Sequence, residues 1–104
     1  MKYTVDYFID KFEAIPDNEW TTGQFYTKDG KKCVLGHCGW GRGEALIEGR
    51  ELIKILTDAF GKPGQYSYGV SELNDQASLD FPQNTPKARV LAALQKAKEL
   101  QNDS

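Results

Sequence analysis

The residue types that could do chemistry are concentrated in one short segment, residues 33–43. This segment, CVLGHCGWGRG, contains both cysteines of the chain, its only histidine, one of its two tryptophans and four of its ten glycines. Thiols, imidazoles and glycine-rich turns serve nucleophilic catalysis, metal binding and anion binding. We therefore expect a site, if the protein has one, in this segment.

Thiol catalysis is the first chemistry to consider. A cysteine nucleophile needs a base within hydrogen-bond reach and a group that orients the base. His37 lies four residues after Cys33, on the same face if the segment is helical, and Asn74 or Asp75 could orient it. No local signature of a cysteine hydrolase surrounds Cys33 or Cys38. A small buried hydrophobic role for Cys33 is the preferred interpretation, and the catalytic set Cys33, His37, Cys38 and Asp75 is the alternative.

Metal binding has too few candidate ligands. Cys33, His37 and Cys38 supply three at most, and on a helix the two cysteines diverge by about 140°. The carboxylates Glu72, Asp75 and Asp80 lack the ligand alternation and central glycine of a calcium loop. We expect no metal and no cofactor.

The turn from Gly39 to Gly43 is the third candidate. Its glycines precede a predicted helix, and backbone N–H groups at a helix start favour anions. Trp40, Gly41, Arg42 and Gly43 are the candidate ligand-binding residues, with Arg42 adding positive charge. The Gly-Lys-Ser/Thr ending of a phosphate loop is missing. A flexible turn between packed helices is therefore preferred, and a small anionic ligand remains a second alternative.

The elements that position this segment are mostly helical. Apolar spacing predicts a helix over residues 4–14 and another over 44–60, and a third begins at Pro86 after the capping residue Thr85. Residues 33–36 favour a packed helical turn. Residues 65–84 fit a strand or a helical turn. We predict a mainly α fold, a compact bundle of three to five helices with room for a short β-hairpin near residues 23–34.

Composition narrows the function classes. The chain has 104 residues and a net charge of −2, and its isoelectric point is near 5.3. This length predicts one globular domain, residues 1–104. The charge gives no footprint for nucleic acid, and no apolar run is long enough to span a membrane. Two cysteines five residues apart suit free thiols in a reducing cytoplasm.

The order of several motifs resembles a family of small uncharacterised bacterial and phage proteins, a domain of unknown function. The matching motifs are Trp20, Cys33-x-x-Gly36, Asn74-Asp75 and the closing helix with Pro86-Lys87 and Val90–Leu94. The resemblance covers most of the chain from Trp20 onward, and it implies a helical fold and no established activity. We expect structural roles for Trp20, Cys33, Gly36, Asn74 and Asp75. At His37-Cys38 the chain departs from the family's small apolar residues.

The expected function is that of a small non-catalytic binding or accessory protein that acts through protein–protein contact. Seven aromatic residues exceed what the helical stripes use: Tyr3, Tyr7, Phe25, Tyr26, Trp40, Tyr66 and Tyr68. Exposed aromatic residues suit a protein-binding surface, but they could equally cover a small core. A protein partner is expected, with neither nucleic acid nor membrane.

Overall fold

The structure is a computed structural model that describes residues 3–39, 46–60, 66–77 and 81–102. These ranges contain α1 (Val5–Glu13), α2 (Val34–His37), α3 (Leu46–Phe60), α4 (Tyr66–Asp75) and α5 (Pro86–Asn102), with a 3-10 turn at Asp17–Glu19. Within them no strand is formed, so the predicted mainly α fold is confirmed.

Helix α1 follows directly from its sequence. Thr4 has an extended backbone, and its hydroxyl oxygen accepts a 3.1 Å hydrogen bond from the N–H of Tyr7, which caps the helix. One face is apolar and buried: Val5, Phe8, Ile9 and Phe12. The prediction of a helix over residues 4–14 is confirmed to within one residue at each end.

Helix α5 is the central element of the core. Thr85 caps it by accepting a 3.2 Å hydrogen bond from the N–H of Ala88, and Pro86 occupies the first helical position. Its buried face packs against α1, α3 and α4. That face consists of Arg89, Val90, Ala93, Leu94 and Ala97. The small alanines let the neighbouring helices approach closely, and the larger side chains fill the space between them.

Helices α3 and α4 complete the core. Leu52 and Leu56 of α3 are fully buried, as is Val70 of α4. The predicted helix over 44–60 is confirmed from Leu46 onward, and its first two residues lie outside the described ones. Residues 66–75, for which the sequence left strand and helix open, are helical.

The predicted hairpin is reduced to a paired loop, residues 20–33. Lys32 forms isolated bridges with Tyr26 and with Trp20, and the N–H of Thr27 donates a 2.9 Å hydrogen bond to Lys31. Gly30 turns the chain at a φ of +89°. Pairing this short is marginal alone and depends on packing against the helices.

Gly36 of α2 lets the paired loop lie directly against that helix. A Cβ atom at Gly36 would stand 2.3 Å from the carbonyl oxygen of Phe25, which itself accepts a 3.2 Å hydrogen bond from the N–H of Cys33. The packed helical turn predicted for residues 33–36 is therefore confirmed. None of the helices in the described ranges has both the length and the apolar character needed to cross a membrane.

Candidate functional site

A cleft opens where the paired loop, the start of α2 and the end of α4 meet. Its volume is about 430 Å³. The described residues that line it are Gly23, Gln24, Phe25, Cys33, Asn74 and Asp75. We call it the Phe25 cleft, because the Phe25 side chain is 40% exposed there. It brings together two of the predicted catalytic candidates, Cys33 and Asp75, from distant parts of the sequence.

Asn74 holds the walls of this cleft together. Its side chain is fully buried. The amide oxygen accepts a 2.9 Å hydrogen bond from the N–H of Val34, and the amide nitrogen donates to the carbonyl of Thr21 at 2.8 Å. One side chain thereby satisfies a first-turn donor of α2 and a carbonyl of the paired loop, which would otherwise lack partners.

Asp75 extends this network to the rim of the cleft. Its Oδ1 atom accepts hydrogen bonds from the backbone N–H of Gly23 at 3.0 Å and from the side-chain amide of Asn74 at 2.8 Å. Gly23 adopts a φ of +79°, a conformation that glycine enters without steric cost. The Asn74-Asp75 pair thus fixes the paired loop relative to α4.

Arg89, which is not among the predicted site residues, stabilises the end of α4 that carries the Asn74-Asp75 pair. Its guanidinium is buried and caps the end of α4. Nε donates to the carbonyl of Leu73 at 2.8 Å, and Nη2 donates to that of Asn74 at 2.6 Å. Nη1 donates to Gln83 at 2.8 Å. The spacing in the sequence could have indicated that Arg89 is buried, since it stands four and eight residues before Ala93 and Ala97 on the same face of α5.

Cys33 is the N-cap residue of α2, and its sulfur accepts a 3.4 Å hydrogen bond from the N–H of Gly36. The residue is only 8% exposed. Burial raises the pKa of the thiol above its ordinary value, although the nearby N–H groups act in the opposite direction. Because the thiolate is the nucleophilic form, this environment disfavours covalent catalysis.

His37 is not part of the Phe25 cleft. Its ring lies 4.7 Å from that of Trp20, tilted by 58°. Burial lowers the pKa of the imidazole to about 4, and a nearby positive charge on Lys32 acts in the same direction. A hydrogen bond to the Glu19 backbone partly offsets both effects, and Nε2 is buried with no partner among the described residues. The structure does not bring this imidazole to the cleft with Cys33 and Asp75.

Cys38 belongs to a separate polar cluster around the buried carboxylate of Glu48. The Tyr7 hydroxyl donates to Glu48 Oε1 at 2.8 Å, and Lys11 forms an ion pair with Oε2. Burial, and next the charge of Glu48, raise the pKa of the Cys38 thiol. Cys38 is 1% exposed, and its thiol packs in the interior between α1, α2 and α3. We call these four side chains the Glu48 cluster.

The remaining candidates concern metals and anions. Across the described ranges, no three His, Cys, Asp or Glu side chains are grouped so that they could hold a metal ion. The predicted ligand-binding residues Trp40, Gly41, Arg42 and Gly43 lie outside the described ones. Gly39, at the edge of that turn, has a φ of +84°.

Comparison of the chain with protein-family models, curated proteins and solved structures finds no significant match.

Proposed function

We propose that this protein is a small non-catalytic binding protein, and that it contacts another protein through the Phe25 cleft. The observation that carries the proposal is the exposed aromatic ring of Phe25 at the rim of a preformed cleft. Aromatic side chains, phenylalanine among them, are enriched in protein interfaces. The cleft volume also lies in the ~300–1,000 Å³ range that ligand sites occupy.

The rigidity of the cleft supports the proposal. Asn74 and Asp75 hold the paired loop with side-chain hydrogen bonds, and Arg89 holds the end of α4. A surface that is ordered before binding loses less conformational entropy when a partner docks.

The state of the thiols favours binding over catalysis. Burial raises the pKa of both Cys33 and Cys38, and His37 lies against Trp20 and does not line the cleft that contains Cys33. These observations support a non-catalytic role over a thiol nucleophile activated by an adjacent base.

The sequence suggests the kind of organism and the cellular compartment in which this protein acts. The resemblance to small bacterial and phage proteins suggests an accessory role in such an organism, and the two free cysteines suit the cytoplasm. We propose a protein partner there, without nucleic acid, membrane or cofactor.

A display library of random peptides tests this function. Peptides selected on the immobilised wild-type chain should lose at least ~10-fold in affinity for Phe25→Ser, because the anchor ring is removed. Ile47→Ser is the matched control, since Ile47 is 68% exposed and lies on α3 outside the cleft. It should bind the same peptides as wild type. If no selected peptide depends on Phe25, the proposal is overturned.

A further inference from the structure

We infer that the Phe25 cleft recognises an arginine side chain of the partner protein. This inference rests on the proposed function and names the partner's chemistry. It comes from the hydrogen-bond capacity, the charge and the exposed ring that the cleft offers together.

Three described donor groups that line the cleft are already occupied. The N–H of Gly23 donates to Asp75. The amide of Asn74 donates to the carbonyl of Thr21 and to Asp75. The Cys33 N–H donates to the carbonyl of Phe25. The Asp75 carboxylate can accept more hydrogen bonds than the two that reach Oδ1, because an ionised carboxylate has about four lone-pair sites. A guest is therefore expected to bring donors.

The charge of the cleft points to a cation. No cation in the described part of the chain forms an ion pair with Asp75. The charge of Arg89 interacts with that of Asp75 through space, but Nε, Nη1 and Nη2 donate to backbone carbonyls and leave the carboxylate oxygens to other donors. Burial is the main cause that raises the pKa of the Cys33 thiol, and the negative charge of Asp75 acts in the same direction, so this charge acts within the cleft. Lys32 does not line the cleft, and its charge acts on His37.

The exposed ring selects arginine among the cations. A guanidinium is planar, offers parallel N–H groups to a carboxylate, and can stack on an aromatic face. Phe25 and Asp75 line the same cleft and supply these two partners. A lysine ammonium is a strongly hydrated point charge, so it gains less from an aromatic ring beside a carboxylate. Stacking of a cation on a ring adds roughly 0.5–1 kcal/mol at an exposed site.

The test uses three blocked tripeptides titrated into the ¹⁵N-labelled full chain: Gly-Arg-Gly, its lysine counterpart and its citrulline counterpart, which is a neutral isostere of arginine. We expect the arginine peptide to shift the Gly23 amide resonance saturably, because that N–H donates to the carboxylate being bound. The citrulline peptide should bind at least ~10-fold more weakly, and the lysine peptide should fall between them.

Two variants assign the effect to the cleft. Asp75→Asn keeps an oxygen that can accept from Gly23 but loses the charge, so affinity for the arginine peptide should fall at least ~10-fold. Asp58→Asn, at an exposed acid of α3, is the charge-matched control and should bind as wild type. Phe25→Leu should weaken binding of the arginine peptide more than binding of the lysine peptide, because the planar guanidinium stacks on the ring and the ammonium does not. Thermal melting confirms that each variant is folded.

Several results would overturn the inference. These are equal affinity for the arginine and citrulline peptides, full affinity in Asp75→Asn, or no Gly23 shift with the arginine peptide at a concentration of about 10 mM. The display selection separates the two levels of the proposal. Peptides that need Phe25 but lack arginine would overturn the arginine inference and leave the binding function standing. Absence of any Phe25-dependent peptide would overturn both.

Discussion

The side-chain amide oxygen of Asn74 accepts a 2.9 Å hydrogen bond from the backbone N–H of Val34, forty residues earlier in the chain. The first N–H groups of a helix have no partner within the helix, and Val34 opens α2. Water does not reach this buried position. Asn74 therefore replaces the missing partner and connects the end of α4 to the start of α2.

Replacing Asn74 with alanine should lower the free energy of unfolding by about 2–4 kcal/mol, because the buried N–H of Val34 and the partly buried carbonyl of Thr21 lose their partner and a small cavity remains. Urea denaturation measures this change. Asn84→Ala, at an exposed residue, is the matched control and should stay within about 0.5 kcal/mol of wild type. Equal effects at the two positions would contradict the role given to Asn74.

Gly36→Ala should destabilise the protein by about 1–3 kcal/mol, because the new Cβ would overlap a backbone carbonyl that cannot rotate away. Gly30 is a useful contrast. Its φ is +89° and no atom lies within 4 Å of its Cβ position, so only backbone strain opposes a side chain.

Gly30→Asn should consequently lower the free energy of unfolding less than Gly30→Ala does, since asparagine tolerates a positive φ. Gly36→Asn should destabilise the protein at least as much as Gly36→Ala, because there is no space for a side chain at residue 36. Urea denaturation of the four variants distinguishes strain from overlap. Similar losses for Gly36→Asn and Gly30→Asn would show that the contact between α2 and the paired loop is less close than the structure indicates.

The stability of the protein should fall as pH decreases through the range set by His37. Burial lowers the pKa of the folded imidazole to about 4, against roughly 6.5 in an unfolded chain. Between these values the unfolded state binds a proton that the folded state does not. The stability contributed by neutral His37 is thus fully present above pH ~6.5 and is lost as the pH falls toward 4.

Urea denaturation of wild type and His37→Gln from pH ~7.5 to ~4.5 isolates this effect, because the carboxylates titrate alike in both proteins. The free energy of unfolding should fall more steeply for wild type than for the variant below pH ~6.5. Parallel curves would mean that the imidazole titrates normally in the folded protein.

Both thiols should react slowly with iodoacetamide in the native protein, because burial raises the pKa of each and alkylation requires the thiolate. Cys33 should react before Cys38, since it lines the cleft and is 8% exposed against 1%. Mass spectrometry of the native and urea-unfolded chain measures both rates. A cysteine that reacts faster in the native protein than in the unfolded chain would favour the thiol-enzyme alternative instead.

Glu48→Gln should bring the pKa of Tyr7 back toward its usual value of about 10. Burial, and next the hydrogen bond to Glu48, raise that pKa to about 12. Removing the charge leaves the burial effect in place, so the return should be partial. Ultraviolet titration of wild type, Glu48→Gln and Tyr7→Phe identifies the Tyr7 transition.

The raised pKa of Tyr7 also determines whether the stability of the protein rises or falls at alkaline pH. A phenol whose folded pKa exceeds its unfolded value stabilises the protein fully below pH ~10, and this contribution is lost as pH rises toward 12. Tyr7→Phe should remove that part of the alkaline destabilisation. An unchanged Tyr7 transition in Glu48→Gln would show that the carboxylate does not act on the phenol.

The sequence predicted those features that depend on neighbours along the chain. The caps at Thr4 and Thr85 and the apolar spacing of α1 and α5 are local patterns, so the helices could be predicted. The close packing of Gly36 was also indicated, because small residues surround it. The Asn74-Asp75 pair could be selected as structural from its residue types, since such side chains bond to nearby backbone.

Tertiary structure decided which distant groups meet. Nothing in the spacing of Asn74 and Val34, or of Glu48 and Tyr7, indicates that each pair is joined by a hydrogen bond. His37 and Cys33 are four residues apart, as a catalytic pair on one helix would be, yet the imidazole packs on Trp20. Phe25 becomes exposed at a cleft only because the paired loop folds over α2. Long-range packing, which local periodicity does not encode, therefore created the cleft beside Asp75, while the predicted site at Trp40–Gly43 lies outside the described residues.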